Sequence, residues 1–298
     1  MTAATVSTPT GVLLGEFTPG TPEWEEARAG LCITATEISA VVGLSPWQSP
    51  FSLWHKKAGL PTARFEPTPE MKWGSRFEDD VADEFAERHP EHPLATTGTW
   101  RHRDRRWQRA TPDRLWGDRI VEIKTAASAD GWGPDGSDEV PIHYRCQVTW
   151  QQDTLGLHQP AHLAVLILPY DYREYVIEWD PAGAEVLRSS AERFLRTVER
   201  GERPPIDGHD ATYQTIRVQH EGRDDTEVEI SDQAAADYEI AQRAAKAADR
   251  ELVRARGQIL DAIGTGRWAV HGGRRIAYRT VNPDGTTLAL QPARSHTA

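Results

Sequence analysis

The chain has 298 residues and 38% hydrophobic residues, enough for one domain of about 200 residues and an appendage. Its two cysteines, Cys32 and Cys146, are too few for a disulfide framework, a four-cysteine zinc site or a four-cysteine iron–sulfur cluster. The sequence shows neither a membrane-spanning apolar run nor a leader, so a soluble cytoplasmic protein is expected. The net charge of −11 disfavours general affinity for nucleic acids, so a role with DNA requires local basic patches.

The N-terminal part predicts a flexible arm followed by short helices. Residues 1–20 contain Thr, Pro and Gly without periodicity, which is typical of an arm. Thr21-Pro22-Glu23 is typical of a helix start, and this helix would carry Arg28 near its end. A second helix is predicted with Thr36 as its cap and Gly43 at its end.

A longer helix is predicted to begin at Thr68-Pro69-Glu70. Its buried stripe is expected to consist of Met71, Phe77, Val81 and Phe85. Gly74 and Glu78 lie four residues apart on a neighbouring face, where the missing side chain of Gly74 would let another element approach beside Glu78. A glutamate in the middle of a helix is usually solvated, and spacing alone does not decide against that interpretation.

Three strands are predicted next. Residues 99–111 are typical of two strands around Asp104-Arg105, and residues 120–124 of a third, which together would form a meander within a mixed sheet flanked by helices. Five arginines lie between residues 101 and 109, including Arg105 and Arg109. They are typical either of a polar hairpin tip or of a basic patch, and the sequence favours neither.

Asp113, Glu122 and Lys124 form the pattern with the clearest chemistry. Val121 and Ile123 should face the core while Glu122 and Lys124 point outward together. Asp113 precedes this strand on a proline-led turn, so two carboxylates could share a divalent cation beside an ammonium group, as a metal-dependent phosphodiesterase requires. Such a triplet arises by chance in about one chain in ten, and a solvated strand edge is the alternative.

The next helix is predicted to begin at Pro141 and to place Tyr144, Gln147 and Gln151 on one face. A buried glutamine can simply satisfy backbone groups, so this spacing alone assigns no function. Two strands, a helix capped by Asp180-Pro181 and a turn at residues 203–208 complete the main domain, predicted as residues 21–208.

The remaining residues, 209–298, are predicted to form an appendage with a heptad helix and a hairpin. The seam of the helix recurs at steps of three and four residues from Ala234 to Ala262 and is rich in alanine. Its partner would be another subunit or the chain's own surface, and the second is the commoner case. Residues 268–278 are typical of a hairpin around Gly272-Gly273.

Several of these blocks, in their order along the chain, resemble the YqaJ-like viral recombinases. This family is related to lambda exonuclease within the PD-(D/E)xK nucleases, which have a restriction-endonuclease-like fold. The resemblance spans roughly residues 22–180. The matching blocks are Arg28, residues 33–38, Gly74 with Glu78, Thr111-Pro112-Asp113, Glu122-Ile123-Lys124 and Pro141 with Tyr144 and Gln147.

The resemblance implies an α/β fold with a helix-flanked mixed sheet, and a Mg²⁺-dependent exonuclease in which Mn²⁺ could substitute. Such an enzyme degrades one strand of linear double-stranded DNA in the 5′→3′ direction, and its 3′ tails pass to a single-strand annealing protein. The expected setting is the cytoplasm of a bacterial or phage-infected cell, with a homo-oligomer such as the ring trimer of relatives. The alternatives are an endonuclease of the same fold and a non-catalytic protein that binds DNA ends or serves as a scaffold.

The resemblance also implies roles for single residues. Asp113, Glu122 and the main-chain carbonyl of Ile123 would ligate Mg²⁺, Glu78 would support the site, and Lys124 and Gln147 would act on the attacking water. The resemblance further implies that Arg28 receives the 5′ phosphate and that Thr36 lies near the substrate strand. Arg105 and Arg109 of the arginine run, together with Tyr144, are further residues expected to contact DNA.

Two departures from the family pattern stand beside these matches. Arg114 occupies a position where Gly is usual, and Thr125-Ala126 replaces Cys-Pro. Neither departure removes a ligand.

Overall fold

The structure is a computed structural model that describes residues 8–64, 66–220 and 222–293. The chain divides into two compact units, Met1–Glu221 and Gly222–Ala298. No helix in the described ranges combines the length and apolar character needed to cross a bilayer. The first unit extends beyond the predicted end at residue 208, because the hydroxyl of Thr212 in the following helix is hydrogen-bonded with the hydroxyl of Ser49, their oxygens lying 2.7 Å apart.

The helices of the first unit begin largely where the local signals predicted. They are α1 (Pro22–Arg28), α2 (Ile38–Val41), α3 (Pro50–Lys57), α4 (Pro69–Arg88), α5 (Ile142–Leu155), α6 (Pro181–Arg200) and α7 (Asp210–Gln219). The side chains of Thr21, Thr68 and Asp180 cap α1, α4 and α6. The predicted cap at Thr36 is wrong, since Glu37 occupies that position and the Thr36 hydroxyl instead accepts a hydrogen bond from Arg28.

A five-stranded mixed sheet forms the centre of the first unit. Its strands are β3 (Leu94–Thr96), β6 (Arg114–Trp116), β7 (Arg119–Ala126), β8 (Ala161–Ile167) and β9 (Asp171–Ile177), in the order β3-β6-β7-β8-β9. β7 and β8 run parallel, while the other neighbours are antiparallel. α5 connects the two parallel strands and packs against this part of the sheet. The predicted mixed sheet flanked by helices is confirmed.

A second, four-stranded sheet corrects two predictions. Its strands are β1 (Gly11–Gly15), β4 (Thr99–His102), β5 (Gln108–Ala110) and β2 (Ile33–Thr34), in the order β1-β4-β5-β2. The predicted meander is wrong because β5 ends before Pro112, and the chain then enters the other sheet. Part of the predicted arm is a strand that pairs with β4, while residues 1–7 lie outside the described residues.

α4 packs across β7 and sets the position of Glu78. Val81 and Phe85 are buried against Val121 and Ile123 of β7, whereas Met71 is 48% exposed and does not belong to the predicted buried stripe. A Cβ atom on Gly74 would lie 3.0 Å from the Thr125 hydroxyl. The missing side chain therefore allows the close approach of helix and strand that the sequence predicted.

The second unit consists of α8 (Asp232–Ile263) and a three-stranded antiparallel sheet. Its strands, β10 (Trp268–His271), β11 (Arg274–Val281) and β12 (Thr287–Pro292), follow one another in space and include the predicted hairpin. Ile259, Leu260 and Ile263 pack against the core of this sheet. Tyr238 and Leu252 of the predicted seam are exposed, and within the described part of this unit nothing covers them. A partner helix stays a prediction.

Candidate active site

Glu122 lies at the centre of the site, on the middle strand of the five-stranded sheet. Its side chain is 1% exposed. Lys124 and Gln147 both donate hydrogen bonds to Oε1, and the amide of Gln151 donates to Oε2 at 2.7 Å. The expectation that Glu122 points outward is wrong, because α5 covers this face of β7 as α4 covers the other.

Asp113 approaches the same group from the turn between β5 and β6. Its Oδ2 accepts a hydrogen bond from the backbone N–H of Ile123 at 2.8 Å and lies 3.9 Å from the Lys124 ammonium. Burial and the neighbouring charge of Glu122 raise the pKa of Asp113 to about 7, despite the opposing charge of Lys124. The site therefore holds two acids whose simultaneous ionisation costs free energy.

Glu78 reaches the site from α4 and is held by Arg114. The Arg114 guanidinium lies 3.0 Å from Glu78 and 2.5 Å from Asp79, and it donates to the backbone carbonyl of Asp113 at 2.8 Å. Burial and the charge of Asp113 raise the pKa of Glu78, against the effect of Arg114. The arginine at the position where Gly is usual thus links α4 to the turn that carries Asp113.

Lys124 supplies a positive charge between these acids. Burial alone would lower its pKa, but the charges of Glu122 and Asp113 outweigh that effect and raise the pKa above its ordinary value. Its ammonium also lies 5.3 Å from the ring centroid of Tyr144, a distance at which a cation–π interaction is favourable. Tyr144 is thereby placed beside the catalytic candidates.

The chemistry of the donor set fits a hard divalent cation. Carboxylate oxygens are the ligands that Mg²⁺ and Mn²⁺ prefer, and a divalent charge would favour the ionised forms of Asp113 and Glu122 together. Among the described residues, no three His, Cys, Asp or Glu side chains already stand in a metal-binding arrangement. Here Lys124 and Arg114 contact the oxygens of Glu122 and Glu78 that are candidates for ligation.

A second group of candidate residues surrounds Arg28. Its guanidinium donates to the hydroxyls of Thr36 at 3.0 Å and Thr34 at 3.4 Å, and it lies 4.3 Å from the ring centroid of Trp24. Burial lowers the pKa of Arg28, against the charge of Glu37. Trp24 and Thr34 were missed by the sequence analysis, although Trp24 precedes Arg28 by one helical turn and so shares its face.

The carboxylate of Glu37 accepts a hydrogen bond from the Thr34 hydroxyl at 3.1 Å. It is 6% exposed, accepts from the backbone N–H of Thr34 at 3.1 Å and forms ion pairs with Lys57 at 2.9 Å and Lys56 at 3.2 Å. Burial alone would raise the pKa of Glu37, but Lys57 and Lys56 outweigh it and hold the pKa below its usual value. The Glu37 network fixes the backbone from which Thr34 and Thr36 project.

The side chains of Arg105 and Arg109 form no hydrogen bond or ion pair with the candidate residues of the two groups described above. Arg105 pairs with Asp153 at 3.0 Å, and Arg109 donates to the backbone carbonyls of Ala27 and Ala29 at the end of α1. Both guanidinium groups therefore make internal contacts, and the role of these residues in DNA binding stays a prediction.

The role of Gln151 and the clamping role of Arg114 were also missed. Gln151 was placed on the same helix face as Gln147, four residues earlier, but it was given no role in the site. Arg114 was noted only as a departure, because its partners Glu78 and Asp79 lie 36 and 35 residues earlier.

Part of this chain matches a known protein family and a curated relative. The YqaJ-like viral recombinase domain family matches residues 23–157. Protein YqaJ of Bacillus subtilis (strain 168) is 29% identical over 203 residues, which cover 66% of this chain and 63% of that protein. The chain thus spans less than two thirds of this curated relative.

Two solved structures show the fold. The alkaline exonuclease LHK-Exo from Laribacter hongkongensis aligns with a TM-score of 0.50 and 20% identity, covering 61% of this chain and 94% of the exonuclease. LHK-Exo in complex with dAMP aligns with the same TM-score and coverage and with 19% identity. The predicted restriction-endonuclease-like fold is confirmed. Residues 23–157 therefore resemble the YqaJ-like viral recombinase domain family.

Proposed function

We propose that this chain is a metal-dependent exonuclease that degrades one strand of linear duplex DNA from its 5′ end and leaves a 3′ single-stranded tail. The observation that carries the proposal is the convergence of Asp113, Glu122 and Lys124 at β7, with Glu78 approaching from α4. The family match of residues 23–157 supports it, as does the exonuclease named in the matching structures.

Asp113, Glu122 and the main-chain carbonyl of Ile123 would hold Mg²⁺, for which Mn²⁺ could substitute, with Glu78 as a further carboxylate. When bound, the cation lowers the pKa of a coordinated water and stabilises the charge that develops on the phosphodiester oxygens. Gln147 and Gln151 fix the orientation of the Glu122 carboxylate by donating to its two oxygens.

Lys124 contributes a fixed positive charge at the reacting phosphate. Because its side chain is enclosed by Glu122 and Tyr144, it enters the reaction already oriented. A single preorganised donor of this kind can stabilise the transition state by about 3–4 kcal/mol.

Recognition of the 5′ end is assigned to Arg28 and Thr36. A guanidinium already oriented by Trp24 and two hydroxyls can form paired hydrogen bonds with a terminal phosphate. Arg28→Ala should therefore reduce the ratio of digestion rates on 5′-phosphorylated and 5′-hydroxyl duplexes. An unchanged ratio would remove Arg28 from end recognition.

The test of the proposed activity is digestion of linear duplex labelled at either 5′ or 3′ ends. With Mg²⁺ we expect mononucleotides bearing the 5′ label to appear first, while the 3′ label remains on long strands. Cleavage of covalently closed duplex would indicate an endonuclease instead. DNA binding without release of nucleotides would indicate an end-binding or scaffold protein.

Lys124→Ala gives a separate test of the catalytic group. We expect turnover to fall by about 10²–10³-fold, because a preorganised charge is lost, while binding of duplex ends in EDTA changes little. Lys246→Ala is the matched control, since Lys246 is an exposed lysine of α8 and belongs to neither group of candidate residues. Normal cleavage by folded Lys124→Ala would exclude Lys124 from the mechanism.

The expected partners follow from the activity and stay predictions. A 3′ tail is a substrate for a single-strand annealing protein, and a homo-oligomer would retain the DNA between turnovers. Size-exclusion chromatography with light scattering tests the ring trimer expected from relatives, and co-purification tests the annealing protein. A cytoplasmic location is expected for an enzyme acting on DNA of this kind.

A further inference from the structure

The three-stranded sheet of the second unit exposes a cluster of arginines and aromatic rings. We name Arg267, Trp268, Arg275 and Tyr278 the basic–aromatic face. The guanidinium of Arg275 lies 4.2 Å and that of Arg267 lies 5.1 Å from the ring centroid of Trp268. Trp268 and Tyr278 are paired across β10 and β11, with ring centroids 5.3 Å apart.

This face lies opposite the core of the second unit. Ala269 and Ala277 are buried with Leu290 against the end of α8. Since side chains alternate along a strand, Trp268 and Tyr278 project from the other surface of the sheet. A register shift between Ala269 and Val270 pairs Val270 with Arg275. Val270 and Arg275 therefore lie on the same surface as Trp268, and both are exposed. Nothing in the described part of the unit covers this surface.

The local charge is opposite to that of the whole chain. Residues 264–293 contain four arginines and a single acid, Asp284, whose carboxylate accepts hydrogen bonds from Thr286. Arg279 is engaged, since it donates to backbone carbonyls at the end of α8. The other three arginines are exposed, and none has an ion-pair partner among the described residues.

The chemistry of the face fits single-stranded nucleic acid. Guanidinium groups bind phosphates, and aromatic rings or guanidinium planes stack with unpaired bases, a combination that tolerates any sequence. One arginine stacked on Trp268 could serve only to pack the hairpin. Three exposed arginines without acidic partners, on a chain with a net charge of −11, are not explained by packing.

We propose that the basic–aromatic face is a binding site for single-stranded DNA, distinct from the group of acids at β7. The choice of DNA rests on the proposed function, in which a single-stranded tail is produced. Phosphates would pair with Arg267 and Arg275, and a base would stack on Tyr278 and the exposed edge of the Arg–Trp stack.

The test is fluorescence anisotropy with the full chain and a labelled 5′-hydroxyl oligothymidylate of about 20 nucleotides, a length that exceeds typical single-strand sites. EDTA is present throughout, so binding is measured without turnover. We expect Arg267→Ala/Arg275→Ala to weaken binding about tenfold and to reduce the salt dependence by about 1.4 in slope, because two phosphate contacts are lost. The matched control is Arg250→Ala/Arg256→Ala, which removes the same charge from the exposed surface of α8.

Further variants separate binding from loss of structure. Arg275→Glu changes one exposed side chain and should weaken binding more than Arg275→Ala, whereas Trp268→Ala should reduce affinity with little change in salt slope. Circular dichroism and thermal unfolding check each variant. Exchange of the amides of β10 and β11 with deuterium should slow when the oligothymidylate is added.

Three results would overturn the inference. They are equal binding by wild type and folded face variants, an equal loss in the α8 control, and tighter binding of a blunt duplex by this face than of the single strand. Failure of the proposed nuclease activity would be seen separately, since a chain that binds the oligothymidylate but releases no nucleotides with Mg²⁺ contradicts only the proposed function.

Discussion

Gln151 contributes one hydrogen bond to the candidate active site, and that bond reaches the Oε2 atom of Glu122 at 2.7 Å. The other oxygen of Glu122 is contacted by Lys124 and Gln147. Gln151 is completely buried, and its own side-chain carbonyl has no hydrogen-bond partner in the described structure. Burying a side-chain carbonyl without a hydrogen-bond partner lowers the stability of the fold. We therefore infer that Gln151 serves to orient the Glu122 carboxylate, to which its N–H group donates.

Gln151→Leu should therefore weaken metal binding about 10–100-fold, the usual effect of removing a group that orients a ligand. Isothermal titration of Ca²⁺ or Mn²⁺ into the folded chain measures this without turnover. Gln152→Leu is the matched control, because Gln152 is equally buried but donates to the backbone carbonyl of Gln159 at 3.0 Å. Equal losses of affinity in both variants would mean that Gln151 acts only through stability.

Glu37 joins two elements, since it begins α2 and forms ion pairs with lysines of α3. The two lysines differ in environment: the side chain of Lys57 is 4% exposed and that of Lys56 is 54% exposed. Removal of one partner from a buried pair typically costs about 3–5 kcal/mol, whereas an exposed partner contributes at most about 1 kcal/mol. Of these two lysines, Lys57 should therefore contribute more to holding α2 against α3.

The lowered pKa of Glu37 predicts how the stability of the chain depends on pH. The pKa of Glu37 is lower in the folded chain than in the unfolded chain, so its ionised form stabilises the fold above about pH 4.3, and the contribution disappears as the pH falls through the lower folded value. Glu37→Gln should lower the free energy of unfolding by about 3 kcal/mol at pH 7 and by progressively less below pH 4.

Urea unfolding of wild type, Glu37→Gln, Lys57→Met and Lys56→Met measures the contribution of each residue to the free energy of unfolding. Lys57→Met should resemble Glu37→Gln at pH 7, while Lys56→Met should cost at most about 1 kcal/mol. A stability difference between wild type and Glu37→Gln that stays constant from pH 7 to pH 3 would contradict the assignment.

Across the whole molecule, the sequence predicted elements better than their assembly. Local signals identified α4, α6 and α8, because a capping side chain or an apolar period depends on neighbouring residues. The two sheets depend on distant pairs, such as the parallel pairing of Ile33 with Gln108, for which no local pattern exists. The three strands predicted for the meander are present, but β4 and β5 belong to the four-stranded sheet and β7 to the five-stranded sheet.

The candidate site shows the same limit. Asp113, Glu122 and Lys124 lie close together in sequence and were identified by spacing and family resemblance. Burial of Glu122 was not predicted, because alternation along a strand shows which side chains share a face but not whether α5 covers it. The pairing of Arg105 with Asp153, 48 residues later, is equally invisible to a local pattern.

The division of the chain into units gives a final prediction. Residues 222–231 have no helix or strand, and the side chains of Val228 and Ile230 are 78% and 61% exposed. Ile240 and Val253 are exposed to 57% and 60%, but they lie within α8, where a hydrogen-bonded backbone resists entry into a protease cleft. Thermolysin, which cleaves before apolar residues, should cut at Val228 and Ile230 before it cuts α8.

Mass spectrometry of the early fragments locates the cuts. Val228→Asp/Ile230→Asp is the control and should delay separation of the two units without changing the circular dichroism spectrum. An early cut before Ile206, which is 63% exposed, would instead favour the boundary predicted near residue 208. We expect resistance there, because the Asp207 carboxylate accepts hydrogen bonds from His209 N–H and the Thr212 hydroxyl and ties this segment to α7. Early cuts at Ile240 or Val253 would show that α8 opens more readily than residues 222–231.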